Sequence, residues 1–137
     1  MVESVLSGDA APASGHLTAI HGSVIDARFE RGGLPLLGEG IVVDPTSAAP
    51  LVAEVQEHLD LATVRAVALG NTAGLQRGVG VRAMGSPIRV PVGDAVLGRL
   101  LDPVGRPADP GPDLPADTPY RPIHAPAPSL DRLGSAQ

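Results

Sequence analysis

Apolar and polar positions alternate with a period of two through the middle of the chain. Leu51, Ala53 and Val55 alternate with Val52, Glu54 and Gln56, the pattern of a strand with one buried and one wet face. Val64-Arg-Ala-Val-Ala-Leu69 follows after Leu59-Asp-Leu-Ala62, so the two runs predict a hairpin. Gly70-Asn-Thr-Ala-Gly74 ends it with residues that tolerate positive φ. Upstream, the run holding Ile20, Val24, Ile25, Ala27 and Phe29 is rich in β-branched residues. It is bounded by Gly22 and by Arg31-Gly-Gly33, which favours strand over helix. Gly40 opens a short apolar strand, Ile41-Val-Val-Asp44, stopped by Pro45, and Gly78-Val-Gly-Val-Arg82 is a last one, closed by Gly85 and Pro87. Five or six short strands with glycine turns predict an all-β fold, a small closed barrel over residues 17–84. Closure has a physical motive, because it pairs edge strands that would otherwise template aggregation.

The flanks differ in character. Residues 1–16 are small and polar and read as a flexible N-terminal tail. Eleven of the fifteen prolines fall in the last 52 residues. Each removes a backbone donor and restricts the residue before it, so long helices and central strands are not expected there. Residues 85–137 are therefore read as a Pro-rich connector. Short edge strands are expected over Ile88–Val92 and Val96–Leu101, and an extended course from Pro103 to Pro128.

Composition narrows the function classes. Phe29 and Tyr120 are the only aromatics, so the core must be aliphatic. With no cysteine there is no thiolate nucleophile and no Cys-ligated zinc site. The formal net charge is −5, and the ten basic residues are all Arg, no two adjacent. That argues against nucleic acid as a partner, since affinity for a phosphate backbone comes from clustered cations. No apolar run approaches the ~20 residues that span a bilayer, and Met1–His16 lacks the basic start and long apolar stretch of a secretory signal. The chain reads as cytoplasmic, with no direct membrane insertion.

Candidate chemistry is sparse. Gly80-Val-Arg-Ala-Met-Gly85-Ser86 has the glycine spacing of a phosphate loop but no Lys to meet a phosphate. Pro87 follows at once, leaving no helix N-terminus to aim amides at an anion. A glycine turn leaving a strand is the better account. His16, His21, His58 and His124 stand at no recognised ligand spacing, so surface or hydrogen-bonded roles are favoured over metal binding. Asp102, Asp109, Asp113 and Asp117 punctuate the Pro-rich segment as turn formers in solvent rather than as an acid–base pair. No Gly-x-Ser-x-Gly elbow occurs. No catalytic, cofactor-binding or metal-binding residue is assigned. Arg65, Arg77, Arg82, Arg89 and Arg99 recur through the barrel and just beyond it. Alternation puts some of them on the outer wall, where pairing with a neighbour's carboxylates makes them the candidate subunit interface.

Five words in order carry a resemblance: Glu54-Val-Gln-x-His58-Leu, Gly74-Leu-Gln-Arg-Gly78, Pro87-Ile-Arg-Val-Pro-Val-Gly93, Leu97-Gly-Arg-Leu-Leu and Pro122-Ile-His-Ala-Pro126. In sequence and spacing they resemble the N-terminal region of the F-type ATP synthase beta subunit, in the rotary ATPase alpha/beta family. The likeness covers about residues 17–128. Local departures fall at Gly70 and Ala73, where beta subunits commonly carry acidic residues, and at the His58-Leu59-Asp60 bend.

The resemblance implies a six-stranded barrel that packs beside alpha subunits in an alternating ring crowning the catalytic head. It implies an assembly role within proton-driven ATP synthesis or hydrolysis, peripheral to the inner membrane. ATP/ADP and magnesium are implied for the full-length parent, whose phosphate loop and catalytic Glu would lie downstream of Gln137. No cofactor is expected on this chain alone. Two alternatives stay open: a free-standing small barrel that binds an oligonucleotide or a protein, and the front end of an alpha-type or secretion-associated ATPase.

Overall fold

The computed structural model describes residues 11–130. Six antiparallel strands close into a barrel: β1 (Ser14–His21), β2 (Val24–Arg31), β3 (Glu39–Val43), β4 (Leu51–His58), β5 (Thr63–Ala68) and β6 (Gly80–Pro87). Their order around the wall is β1-β2-β5-β4-β3-β6. Alternation builds the interior. Ile25, Ala27 and Phe29 of β2, Ile41 and Val43 of β3, Ala53 and Val55 of β4, Val64, Ala66 and Ala68 of β5, and Val81 and Ala83 of β6 all point inward and are buried. Alanines set among larger aliphatics fit the narrow lumen of a small barrel. Phe29 is the one aromatic in that core.

β1 begins at Ser14, so Ser14, Gly15 and His16 belong to the barrel rather than to the expected tail. Their contribution is backbone pairing, which small side chains permit and an apolar pattern does not reveal. Gly15 lies so close to β2 that a Cβ there would collide with the Arg28 carbonyl oxygen. Residues 1–10 of the expected tail, and 131–137 of the expected connector, lie outside the described residues.

The seam between β1 and β6 is short. Only Ser14, Gly15 and His16 pair with β6, and Leu17 adds two hydrogen bonds, from its N–H to the Val79 carbonyl and from the Gly78 N–H to its own carbonyl. Beyond Leu17 the place of a strand is taken by residues 71–78, with half-buried Leu75 packed against the core. The tight turn joining β1 to β2 uses Gly22 at φ 63, where L side chains are strained.

After β6 the chain returns along the outside of the barrel. β7 (Arg89–Pro91) pairs with β8 (Tyr120–Pro122) in a separate two-stranded sheet, which agrees with the short strand expected around Ile88–Val92. No strand covers Val96–Leu101. A single 3₁₀ turn at Asp94–Val96 leads to Gly98 at φ 70, a left-handed kink that breaks the extended run. Leu101 makes only an isolated bridge to Pro107. The last strand, expected over Gly78–Arg82 with a glycine turn leaving it, is β6: it starts at Gly80, pairs with β1 and β3 through residues 80–83, and runs on past Gly85, at φ 72, to Pro87 instead of turning away.

Candidate functional site

The five candidate arginines separate into two groups. On the outer wall Arg65 of β5 lies directly opposite Asp26 of β2. It donates from Nε to Oδ1 at 2.8 Å and from a terminal nitrogen to Oδ2 at 3.0 Å. This two-pronged geometry matches a planar guanidinium to a carboxylate. It explains how Asp26, only 7% exposed, is tolerated between apolar neighbours. The Asp26 carboxylate in turn raises the Arg65 pKa above its ordinary value, first through these hydrogen bonds and then through its charge.

Arg99 is engaged in the same manner within the connector. It donates two hydrogen bonds of 2.8 Å to the Asp109 carboxylate and a third, of 2.7 Å, to the Pro112 carbonyl. Asp109 also accepts from the Leu100 and Gly111 N–H groups. The Arg99 guanidinium, with those two amides, holds the Asp109 carboxyl well below the usual carboxylate range. Arg89 donates to the Tyr120 carbonyl across the β7–β8 pair at 2.9 Å. Arg77, in the segment before β6, and Arg82, on β6, are exposed and enter no ion pair among the described residues. The structure thus gives three of the five intramolecular partners and leaves two facing solvent.

A further contact joins connector to barrel. Glu54 projects outward from β4 yet is buried, because the chain after β8 lies over it. His124 Nε2 is 2.9 Å from both Glu54 oxygens, and Gln56 Nε2 donates to Oε1 at 2.7 Å. An ionised carboxylate only accepts, so the imidazole proton sits on Nε2. Nearby, Ile88 is 2% exposed and its carbonyl accepts from Ile123 N–H at 3.0 Å. Gly40 makes room for this packing: a Cβ there would collide with Met84 Sδ and come within 3.0 Å of Ile88. Glu54 and His124 stand 70 positions apart, so nothing in the sequence ties one to the other. Asp26 does carry a signal, because an acid inside the run Val24-Ile-Asp-Ala27 needs a partner to neutralise it.

The other histidines fill structural places. His58 Nε2 donates to the Pro35 carbonyl at 2.7 Å, and His16 lies 3.2 Å from Glu30. The His58 bond ties the β2–β3 loop to the β4–β5 turn. Exposed Leu36 and Leu37 therefore share one end of the barrel with exposed Leu59 and Leu61.

Within Gly80–Ser86, residues 80–83 pair with β1 and β3 and the Gly85 N–H donates to Glu39 Oε1 at 2.7 Å; no Lys exists in the sequence, and among the described residues no group of three or more acidic or imidazole side chains is placed to hold a metal ion. No helix among them is long and apolar enough to cross a membrane.

Together these features define a closed-barrel module with a connector strapped to its wall. The family model for the beta-barrel domain of the ATP synthase alpha/beta family matches residues 17–85, the barrel almost strand for strand. Three curated relatives agree. The chain is 68% identical over 124 residues to ATP synthase subunit beta 2 of Bradyrhizobium sp. (strain BTAi1), with 90% of this chain and 26% of the relative covered. It is 54% identical over 119 residues to subunit beta 1 of Paraburkholderia xenovorans (strain LB400), covering 87% of this chain and 24% of that one. It is 51% identical over 121 residues to subunit beta 3 of the same strain, covering 88% and 24%. The chain belongs to the ATP synthase alpha/beta family, and its barrel is the N-terminal barrel domain of the beta-subunit type. It spans about a quarter of the length of these relatives.

Proposed function

We propose that this chain supplies the assembly barrel of a rotary ATP synthase. In this reading it packs between alpha-type subunits in an alternating ring, on the cytoplasmic face of the inner membrane, and serves proton-coupled ATP synthesis without binding nucleotide by itself. The observation that carries the reading is the coincidence of the matched family domain, residues 17–85, with a closed barrel. Its outer wall is stiffened by the Arg65–Asp26 pair and its connector is held by Glu54. A rigid wall suits a part that holds neighbours in place while other domains move. The leucines at one barrel end and the solvent-facing Arg82 supply apolar and cationic contacts for those neighbours.

Nucleotide binding is tested by titrating the folded chain with magnesium ATP in a calorimeter. No heat of binding is expected at micromolar to millimolar ligand. Saturable micromolar binding would show that the chain holds a site of its own and overturn this part of the reading.

A further inference from the structure

The incomplete seam of the barrel leaves a strand edge without a partner. β6 accompanies β1 only as far as His16, and the last contact across the seam is the Gly78 N–H donating to the Leu17 carbonyl. From Thr18 to His21 no strand lies beside β1 on that side among the described residues. The segment that replaces it is fixed at two points. Thr72 Oγ1 donates to the Gly22 carbonyl at 2.8 Å, and Gly78 meets Leu17 at 2.8 Å. Between those anchors the segment and β1 flank a groove of about 530 Å³, lined by Thr18, Ala19, Ile20, His21, Leu75 and Arg77.

The backbone orientation follows from the hairpin. Gly22 and Ser23 form a two-residue turn, so the flanking pair His21 and Val24 exchanges the ladder hydrogen bonds. Ile20, facing Ile25 in the next, non-bonded pair, therefore turns its N–H and C=O away from β2 and toward the groove. Half-buried Ile20 and Leu75 give the groove an apolar floor. Its charged wall is Arg77, which enters no ion pair among the described residues, and His21 adds a ring donor.

We propose that this groove takes an extended, acidic peptide segment of another protein as an added strand. The segment would exchange backbone hydrogen bonds with Ile20, set an apolar side chain over Leu75, and place a carboxylate against the Arg77 guanidinium. Strand addition to an open edge draws affinity from main-chain hydrogen bonds and specificity from alternate side chains. The free guanidinium selects an acid, because its forked donors match a carboxylate two-pronged. A groove of this volume falls within the range of pockets that hold small ligands, and four residues of strand span about 13 Å. The inference goes beyond ring assembly and does not depend on it, since the edge and its cation belong to this chain alone.

The test is a titration of the ¹⁵N-labelled chain with two capped pentapeptides, Thr-Val-Glu-Val-Thr and Thr-Val-Lys-Val-Thr, followed by amide shifts and hydrogen exchange. The acidic peptide is expected to shift Thr18–His21 saturably and slow exchange at Ile20, with the lysine peptide at least about tenfold weaker. Arg77→Glu should reverse that preference and Arg77→Ala abolish it, both variants keeping the dispersed spectrum of the folded barrel. Equal binding of the two peptides, shifts centred away from β1, or no saturable shift at millimolar peptide would overturn the proposal. So would shifts at Thr18–His21 that grow with protein concentration alone, which would give the edge to a second copy of the chain.

Discussion

Arg65 and Asp26 face each other across adjacent strands and lock β5 to β2 through two hydrogen bonds of 2.8 and 3.0 Å. Asp26 is the buried partner and Arg65 the partly exposed one, so the two are not equivalent. Removing the arginine leaves a carboxylate among apolar neighbours with its charge uncompensated, whereas removing both removes the problem.

Arg65→Ala is accordingly expected to lower the thermal midpoint clearly more than the double variant Arg65→Ala with Asp26→Ala. Differential scanning calorimetry on the single and double variants checks this. A double variant that loses the sum of two independent effects would show that the pair is not coupled.

The connector is fastened at His124. His124→Ala should leave the barrel folded but free the chain after β8, because Glu54 keeps Gln56 and loses its imidazole donor. A loss of about 1 kcal/mol for one such hydrogen bond corresponds to roughly fivefold faster opening. Amide exchange at Ile123, whose N–H reaches the Ile88 carbonyl, reads that opening directly. Protection in β2 and β5 should stay unchanged.

The turn held by Arg99 and Asp109 carries a pH signature. The folded-state carboxyl titrates below its unfolded value, so the unfolded chain takes up the proton first as acid is added. The stabilisation is therefore fully present above the ordinary aspartate value of about 3.9 and declines as pH falls below it toward the folded-state value. Carboxyl-carbon NMR should find Asp109 still ionised below about pH 3.9, where an ordinary aspartate side chain is mostly protonated. Arg99→Gln should bring the Asp109 titration back toward the ordinary range.

Much of this architecture was legible because it rests on alternation. Leu51–Gln56 and Val64–Leu69 show one buried face and one wet one, and the structure pairs them as β4 and β5. The start of β1 was not legible. Ser14, Gly15 and His16 carry no apolar pattern, and they join the barrel through backbone contacts that only the fold supplies. Val96–Leu101 failed for the opposite reason: an apolar run broken by a left-handed Gly98 cannot extend. Alternation put the arginines outside but could not say which would find a carboxylate across the ladder. Asp26 opposite Arg65 is a matter of register, and Glu54 against His124 a matter of tertiary return.

Assembly of the barrel with alpha-type subunits is tested by sedimentation of the chain mixed with a purified alpha subunit of a related ATP synthase. A faster boundary containing both chains at micromolar concentration is the predicted result, weakened by substituting Leu36, Leu37, Leu59 or Leu61 with Ser. Independent sedimentation of the two folded chains throughout that concentration range would contradict it.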